Sequence, residues 1–388
     1  MSAPTSSSRA TITLNGLSLG ASQLWGSVRL VPLLRDQPIE DLRLSPQCWG
    51  GPTAVSLPDH TTYSAFIPHA FVASWSHDNT PVASLGTQLA HASTSKTNNQ
   101  HFQVRLAHRM AKRERQRGVA VPRLRFLPLH TAFEAYLALH FAGPDVLRRE
   151  YSAQVLSSGL SPRVEMVTPG AWLPGLEEAL RVFEIRDGQV GVLLFVADAF
   201  AGAFVVPHPE DYRRLHRTLL TDCYGELVYC YACLYDGAAA LVRPFRAENI
   251  GSIADLRVEL ARARADWTAQ LHNMAGGLFE QEVHMQHVYR LGKHYRLHRF
   301  LPEFRLKTEN HIGELISGRD GETAYLKTFR LSEAQVRRGY LLSVLARHDW
   351  DLDAAAKAMN TDKLELCKRL ERAGFGELLR AHLRRAVS

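Results

Sequence analysis

The 388 residues carry 46 Lys and Arg against 39 Asp and Glu, a formal net charge of +7, with 46% hydrophobic residues and 5 cysteines. A chain of this size buries a substantial core and suggests two or three domains. No run approaches the roughly 18 uninterrupted apolar residues of a membrane helix. The opening MSAPTSSSRA lacks the apolar stretch of a secretory signal. So few cysteines make no disulfide framework, and the cytoplasm is the expected compartment. Basic charge collects in two places. Residues 330–388 hold 12 Lys/Arg against 8 Asp/Glu, and residues 105–125 hold 8 against Glu114 alone. That distribution is compatible with a polyanion partner.

Residues 1–10 are rich in Ser, Ala and Thr and are expected to be disordered, with a first strand over Ala10–Leu14. Leu24–Leu34 (LWGSVRLVPLL) alternates as a strand does. Over the next sixty residues Pro, Gly, Asp and Asn separate short apolar runs such as Tyr63–Ile67 and Phe71–Trp75, the texture of a β-rich domain with long connections. Phe102–Arg117 reads as a helix with Val104, Ala107, Met110 and Ala111 inward. Its Arg105, Arg109, Lys112, Arg113, Arg115 and Arg117 make either a second basic, phosphate-contacting surface or a solvated face. Gly118–Leu129 is strand-like, and Thr131–Phe141 is an apolar helix.

Residues 180–235 form an α+β unit. Leu180–Ile185 leads through the turn Arg186–Gln189 into the apolar strand Val190–Val196, and a second strand follows over Gly202–Val206. After Pro207-His208-Pro209, a helix from Tyr212 to Cys223 carries Tyr212, Leu215, Leu219 and Leu220 at helical spacing. This segment, QVGVLLFVADAFAGAFVVPHPEDYRRLHRTLLTDCYGELV, with Gly191 and the His208-Pro209 turn, resembles the closing unit of the ARPP-type domain. That bacterial family is named for its association with ADP-ribosylglycohydrolases and rhodanese-phosphatases. The strand pair in Leu24–Leu34 resembles its opening, whereas residues 35–170 depart from it. The resemblance implies a regulatory or sensory role beside stress and defence systems. Family association alone also raises an enzyme acting on ADP-ribosyl or nucleotide groups, and no catalytic residue is assigned.

Ile253–Met274 reads as a helix with Leu256, Leu260, Ala263, Trp267 and Leu271 on one stripe. Gly276-Gly277 is expected to end it, and Leu278–Arg299 to form a second long helix. On that helix His284, His287, His294 and His298 would share a face. His284 and His287 are weak candidates for a metal half-site. Arg290, Lys293, Arg296 and Arg299 interleave with Tyr289 and Tyr295 as a basic face that suits a polyanion, but the leading reading is an ordinary solvated or inter-domain face, and no metal or cofactor is assigned. Cys230 and Cys233, with Cys223 upstream, lie in the apolar run LVYCYACLY and read as buried inert thiols. Asn310–Arg330 reads as a small hairpin turning at Gly318–Gly321, tethering the C-terminal stretch to the body.

That C-terminal stretch divides into three short helices. Ser332 with Gln335 is a capping box for the first, whose inward residues are Val336, Tyr340, Leu341, Val344 and Leu345. Asp351 caps the second, which turns Leu352, Ala355, Ala356 and Met359 inward. Asn360 sits at a turn, Asp362 caps the third, and Gly374 closes it. This pattern resembles the Fis-type helix-turn-helix of bacterial transcription regulators, through Ala355-Ala356, Met359-Asn360-Thr361, Leu366, Arg369-Leu370 and Ala373-Gly374-Phe375. Asn360 stands where that family usually has glycine. Asp362, Lys363 and Glu365 occupy positions where it has Ser, Arg and Thr. The resemblance implies a DNA-binding dimer contacted through Lys363, Lys368, Arg369 and Arg372, flanked by Arg337, Arg338, Arg384 and Arg385. The acids at the start of the third helix favour a second reading, a non-enzymatic adaptor that uses the same helices to bind protein.

The expected whole is α+β: a disordered N-terminus (1–10), a mixed β-rich ARPP-type domain with packed helices (11–242), a helical connector with a small hairpin (243–330) and an all-α C-terminal helix-turn-helix (331–388). It reads as a cytoplasmic regulator with DNA as its expected partner, a protein partner or self-association besides, and no membrane.

Overall fold

The structure is a computed structural model. It describes residues 7–48, 183–197, 199–216, 246–291, 293–318, 320–331, 333–373 and 375, together with five short strands between residues 53 and 126. The strands are β1 (Ser7–Thr11), β2 (Ser18–Leu19), β3 (Gln23–Trp25), β4 (Val28–Leu34), β5 (Leu42–Cys48), β6 (Thr53–Ser56), β7 (Thr61–Ala65), β8 (His69–Trp75), β9 (Gln88–His91), β10 (Arg123–Phe126), β11 (Gln189–Val196), β12 (Ala199–Val205), β13 (Glu282–Leu291), β14 (Tyr295–Pro302), β15 (His311–Ser317) and β16 (Thr323–Arg330). Helix α1 spans 209–216 within the described residues, followed by α2 (Ile253–Phe279), α3 (Glu333–Arg347), α4 (Leu352–Ala358) and α5 (Lys363–Arg372). The fold is mixed α+β.

Ten strands make one antiparallel sheet in the order β1-β13-β14-β15-β16-β12-β11-β4-β2, with β3 also on β4. Two three-stranded sheets, β10-β8-β5 and β6-β7-β9, lie outside it. The LWGSVRLVPLL stretch is the β3–β4 hairpin, turned at Gly26 with φ +57°. Strands β11 and β12 sit in the sheet interior and are buried along their whole length, as their unbroken apolar sequence requires. Gly191 is needed there: a Cβ would come within 2.4 Å of the Phe204 carbonyl oxygen.

One face of the sheet is covered by the C-terminal half of α2. Ala275 and Leu278 pack with Val31, Phe195, Phe200, Met285, Phe300 and Leu326, while the Arg29 guanidinium lies 3.3 Å over the Trp267 ring centroid. The N-terminal half of α2 is more open, with Leu256 of the expected stripe exposed while Leu271 packs against the core, so the stripe packs along part of its length. The other face carries a core of Leu30, Val192, Phe204, Tyr325, Tyr212 and Leu215. Asp211 in the first turn of α1 anchors β5 there. It accepts from Arg43 Nε at 3.0 Å and from the Leu44 N–H at 2.8 Å. Farther along that face, Leu301, Phe304 and Ile312 share a third core with α3, α4 and α5.

Between these last two cores a row of charge crosses three neighbouring strands. Arg299 pairs in register with Glu314, and Glu314 with Lys327; all three side chains are buried, with Arg299 Nε 2.9 Å from Glu314 Oε1. The N-terminal strand starts at Ser7, three residues before the expected Ala10, and β1 closes one edge. The chain then runs back through Ile12, whose backbone neighbours are bonded to β16: Thr323 Oγ1 donates to the Thr13 carbonyl at 2.8 Å and the Thr323 N–H to the Asn15 carbonyl at 3.1 Å. It reaches β2 at the opposite edge.

Three expectations are corrected. Gly276-Gly277 does not end α2, which continues to Phe279; the missing Cβ at Gly277 leaves room for the Glu309 side chain, whose Cγ lies 3.0 Å from the position a Cβ would take. The long helix over Leu278–Arg299 is instead the β13–β14 hairpin. Val283 and Met285 alternate into the core, but a bulge between His287 and Tyr289 then moves Leu291 to the opposite face. That break in the two-residue period made the segment resemble a helix. The second half of the connector is therefore strand, and the Asn310–Arg330 hairpin is an interior part of the main sheet, paired to β14 on one side and β12 on the other. The helices expected at 102–117 and 131–141 and the cysteines at 223, 230 and 233 lie outside the described residues, as do Ser332 and Gly374.

Candidate functional site

The three C-terminal helices fall where sequence places them, and the same device ends the first two. At the end of α3 the Trp350 N–H reaches the Leu345 carbonyl and the Asp349 N–H that of Ala346, with Asp349 at φ +51°. At the end of α4 the Thr361 N–H bonds Ala356 and the Asn360 N–H bonds Lys357, with Asn360 at φ +50°. Both are paired six-to-one and five-to-two bonds around a left-handed residue. Asn is among the residues that tolerate that conformation, so its presence in place of glycine is structurally sound. After α5 the Phe375 N–H bonds the Leu370 carbonyl at 2.8 Å.

The starts of α4 and α5 are capped by carboxylates. That of Asp351 accepts from the N–H groups of Asp353 and Ala354, and that of Asp362 from Glu365. Those bonds hold the Asp351 carboxyl below its usual range. Ala355 and Ala356 are buried with Leu366, Cys367 and Leu370, so α4 and α5 approach closely. Burial raises the Cys367 thiol above its ordinary value, consistent with a packing role.

The basic residues singled out from sequence are mostly engaged. Lys363 Nζ lies 2.6 Å from Asp353, Arg369 Nε 3.2 Å from Glu365, and Arg337 3.0 Å from Glu333. Arg338 Nε donates to the Ala373 carbonyl at 3.1 Å, tying α3 to the end of α5. Lys368 is half-buried and Arg372 is exposed. Arg384, Arg385 and the second basic surface at Arg105, Arg109, Lys112, Arg113, Arg115 and Arg117 lie outside the described residues.

Where the sheet edge meets α3 there is a groove of two adjoining recesses, about 430 and 260 Å³, that share Arg9, His284 and Glu303. Leu301, Phe304 and Ala346 line its apolar part and Arg347 its rim. The Glu303 carboxyl is held below the usual carboxylate range, first by its hydrogen bond from Arg305 and then by the nearby charge of Arg9 and Arg347. Sequence reasoning passed over Arg9, Glu303 and Arg347 because only strand pairing and the seating of α3 bring them together. His284 and His287 do not share a helix face: His284 lines this groove, while His287 stands opposite His298. No group of three metal-ligating side chains occurs among the described residues.

Sheet, covering helix and interior hairpin define a mixed α+β protein with helices following the last strand. The family model of ARPP-2 matches residues 12–292, and the chain belongs to that family. The match runs from the buried Ile12 to the β13–β14 turn, so β14–β16 and α3–α5 lie beyond it. Neither a curated protein nor a solved structure matches the chain. No helix among the described residues is long and apolar enough to cross a membrane.

Proposed function

We propose that the chain is a cytoplasmic bacterial regulator in which the ARPP-2 region senses a ligand or partner and the C-terminal helices bind DNA as a Fis-type helix-turn-helix, in a stress or defence system. The observation carrying this reading is the α4–α5 geometry. A short capped helix, a left-handed Asn360 and a second capped helix pack through paired alanines, as a recognition helix held by its neighbour requires. The core shared by α3–α5 with β14 and β15, and the groove at that junction, supply a route by which a bound ligand alters the placement of the helices.

A second reading, a protein-binding adaptor, is favoured by the neutralised cations. Lys363 and Arg369 are paired to acids, and Asp362 and Glu365 sit at the end of α5 that would meet phosphates. Titrating the full chain against its own upstream DNA and a random duplex, from low to physiological salt, separates the two. Discrimination that survives salt supports the regulator. Binding that vanishes with salt and ignores sequence supports the adaptor. In the paired variant Asp362→Ser with Glu365→Thr, a regulator changes site preference, whereas an adaptor gains DNA affinity that is blind to sequence.

A further inference from the structure

The β13–β14 hairpin gathers cationic and imidazole side chains that the proposed DNA contact does not use. Arg290 lies directly opposite Arg296, and His287 opposite His298 with the two rings 5.5 Å apart, edge to face. Arg296 and His298 alternate with the core residue Phe300, so they share its side of the sheet; their cross-strand partners Arg290 and His287 stand on that side too. Arg290 Nη2 donates to the Lys293 carbonyl at 3.2 Å, which holds the guanidinium over the turn where Lys293 adds a further cation. None of Arg290, Lys293 and Arg296 pairs with a described carboxylate. Like charges directly opposite on a sheet destabilise it, so the fold retains an electrostatic cost that an anion here would relieve. The field is felt locally: burial lowers both His287 and His298, and Arg296 lowers them further.

We propose that this end of the hairpin binds a phosphate group, carried either by a small phosphorylated ligand or by a nucleic-acid backbone. Two guanidinium groups offer paired planar donors, and each neutral imidazole offers one ring N–H. Directly opposite positions are about 5 Å apart and diagonal ones about 7 Å, a span that one phosphate with its bound donors can bridge. The site stands at the opposite end of β14 from the C-terminal helices, roughly 20 Å away at about 3.3 Å per residue. It is therefore separate from the proposed DNA contact.

The test is thermal melting of the full chain in phosphate-free buffer at constant ionic strength, titrated with inorganic phosphate and pyrophosphate. Saturable stabilisation by both, absent with chloride, is expected. Arg296→Gln should start from a midpoint equal to or above wild type, because a repulsion is removed, and should lose the response. Arg290→Gln is the independent second variant. If both variants keep the full response, or wild type shows none, the proposal is overturned. A duplex of about 20 base pairs distinguishes the sources: affinity lost in Arg296→Gln places a backbone phosphate at the site, and affinity unchanged while the pyrophosphate response disappears places a small ligand there.

Discussion

His216 shows how one side chain couples stability to pH. It stacks on Phe183 with centroids 4.7 Å apart and shares a 3.0 Å hydrogen bond with the Tyr212 hydroxyl. Burial pushes it down to about 4. An unfolded histidine protonates near pH 6.5, so the folded pKa is the lower one. Its contribution is fully present above about pH 6.5 and is lost as pH falls toward 4, by at most roughly 3 kcal/mol. Urea midpoints at pH 7 and pH 4.5 should differ less in His216→Phe than in wild type; His298, also lowered to about 4, acts in the same direction and leaves a residual slope. The aspartate caps are simpler. Asp351→Ala and Asp362→Ala should each cost about 1 kcal/mol, read from equilibrium denaturation at pH 7, since each removes the acceptor for first-turn N–H groups.

At the scale of elements, α5 decides between the two proposed outputs. Arg372 is the exposed cation on that helix without a partner carboxylate among the described ion pairs, whereas Lys363 and Arg369 must leave Asp353 and Glu365 before reaching a phosphate. If α5 lies against DNA, Arg372→Ala should weaken binding to all duplexes alike and lower the slope of log affinity against log salt by about 1. An unchanged slope removes Arg372 from the interface. The β13–β14 hairpin is an element whose local pattern misleads. Its histidines fall at near-helical spacing by coincidence, and its bulge breaks the alternation that marks a strand. The partner that decides the matter, β15, is supplied from farther along the chain.

For the whole molecule, the buried Arg299–Glu314–Lys327 row joins the sheet to both cores on one face. Glu314→Gln removes the buried carboxylate that Arg299 Nε meets at 2.9 Å and should cost about 3–5 kcal/mol, measured by denaturant unfolding. Replacing Arg299, Glu314 and Lys327 together with Met, Leu and Met should cost less than Glu314→Gln by the same measurement, because the buried cations leave with the carboxylate. If Glu314→Gln is silent, the row is hydrated in solution and the two cores are less tightly joined than their packing indicates.

Sequence alone determined the elements whose chemistry is local. The β11–β12 hairpin followed from two uninterrupted apolar runs, the β15–β16 hairpin from its Asp-Gly turn, and the C-terminal helices from Asp351, Asn360 and Asp362, because caps and turns depend on residues a few positions apart. The likeness to the ARPP family was legible in the strands around Leu30 and Val192, which lie side by side in the sheet. Only the tertiary structure decided that residues 282–302 are strand, that the 310–330 hairpin is interior, that Arg9 and Arg347 face one groove and that Arg290 opposes Arg296. Strand partners and their register are set by segments distant in sequence, and burial on a sheet face depends on which of those segments is adjacent.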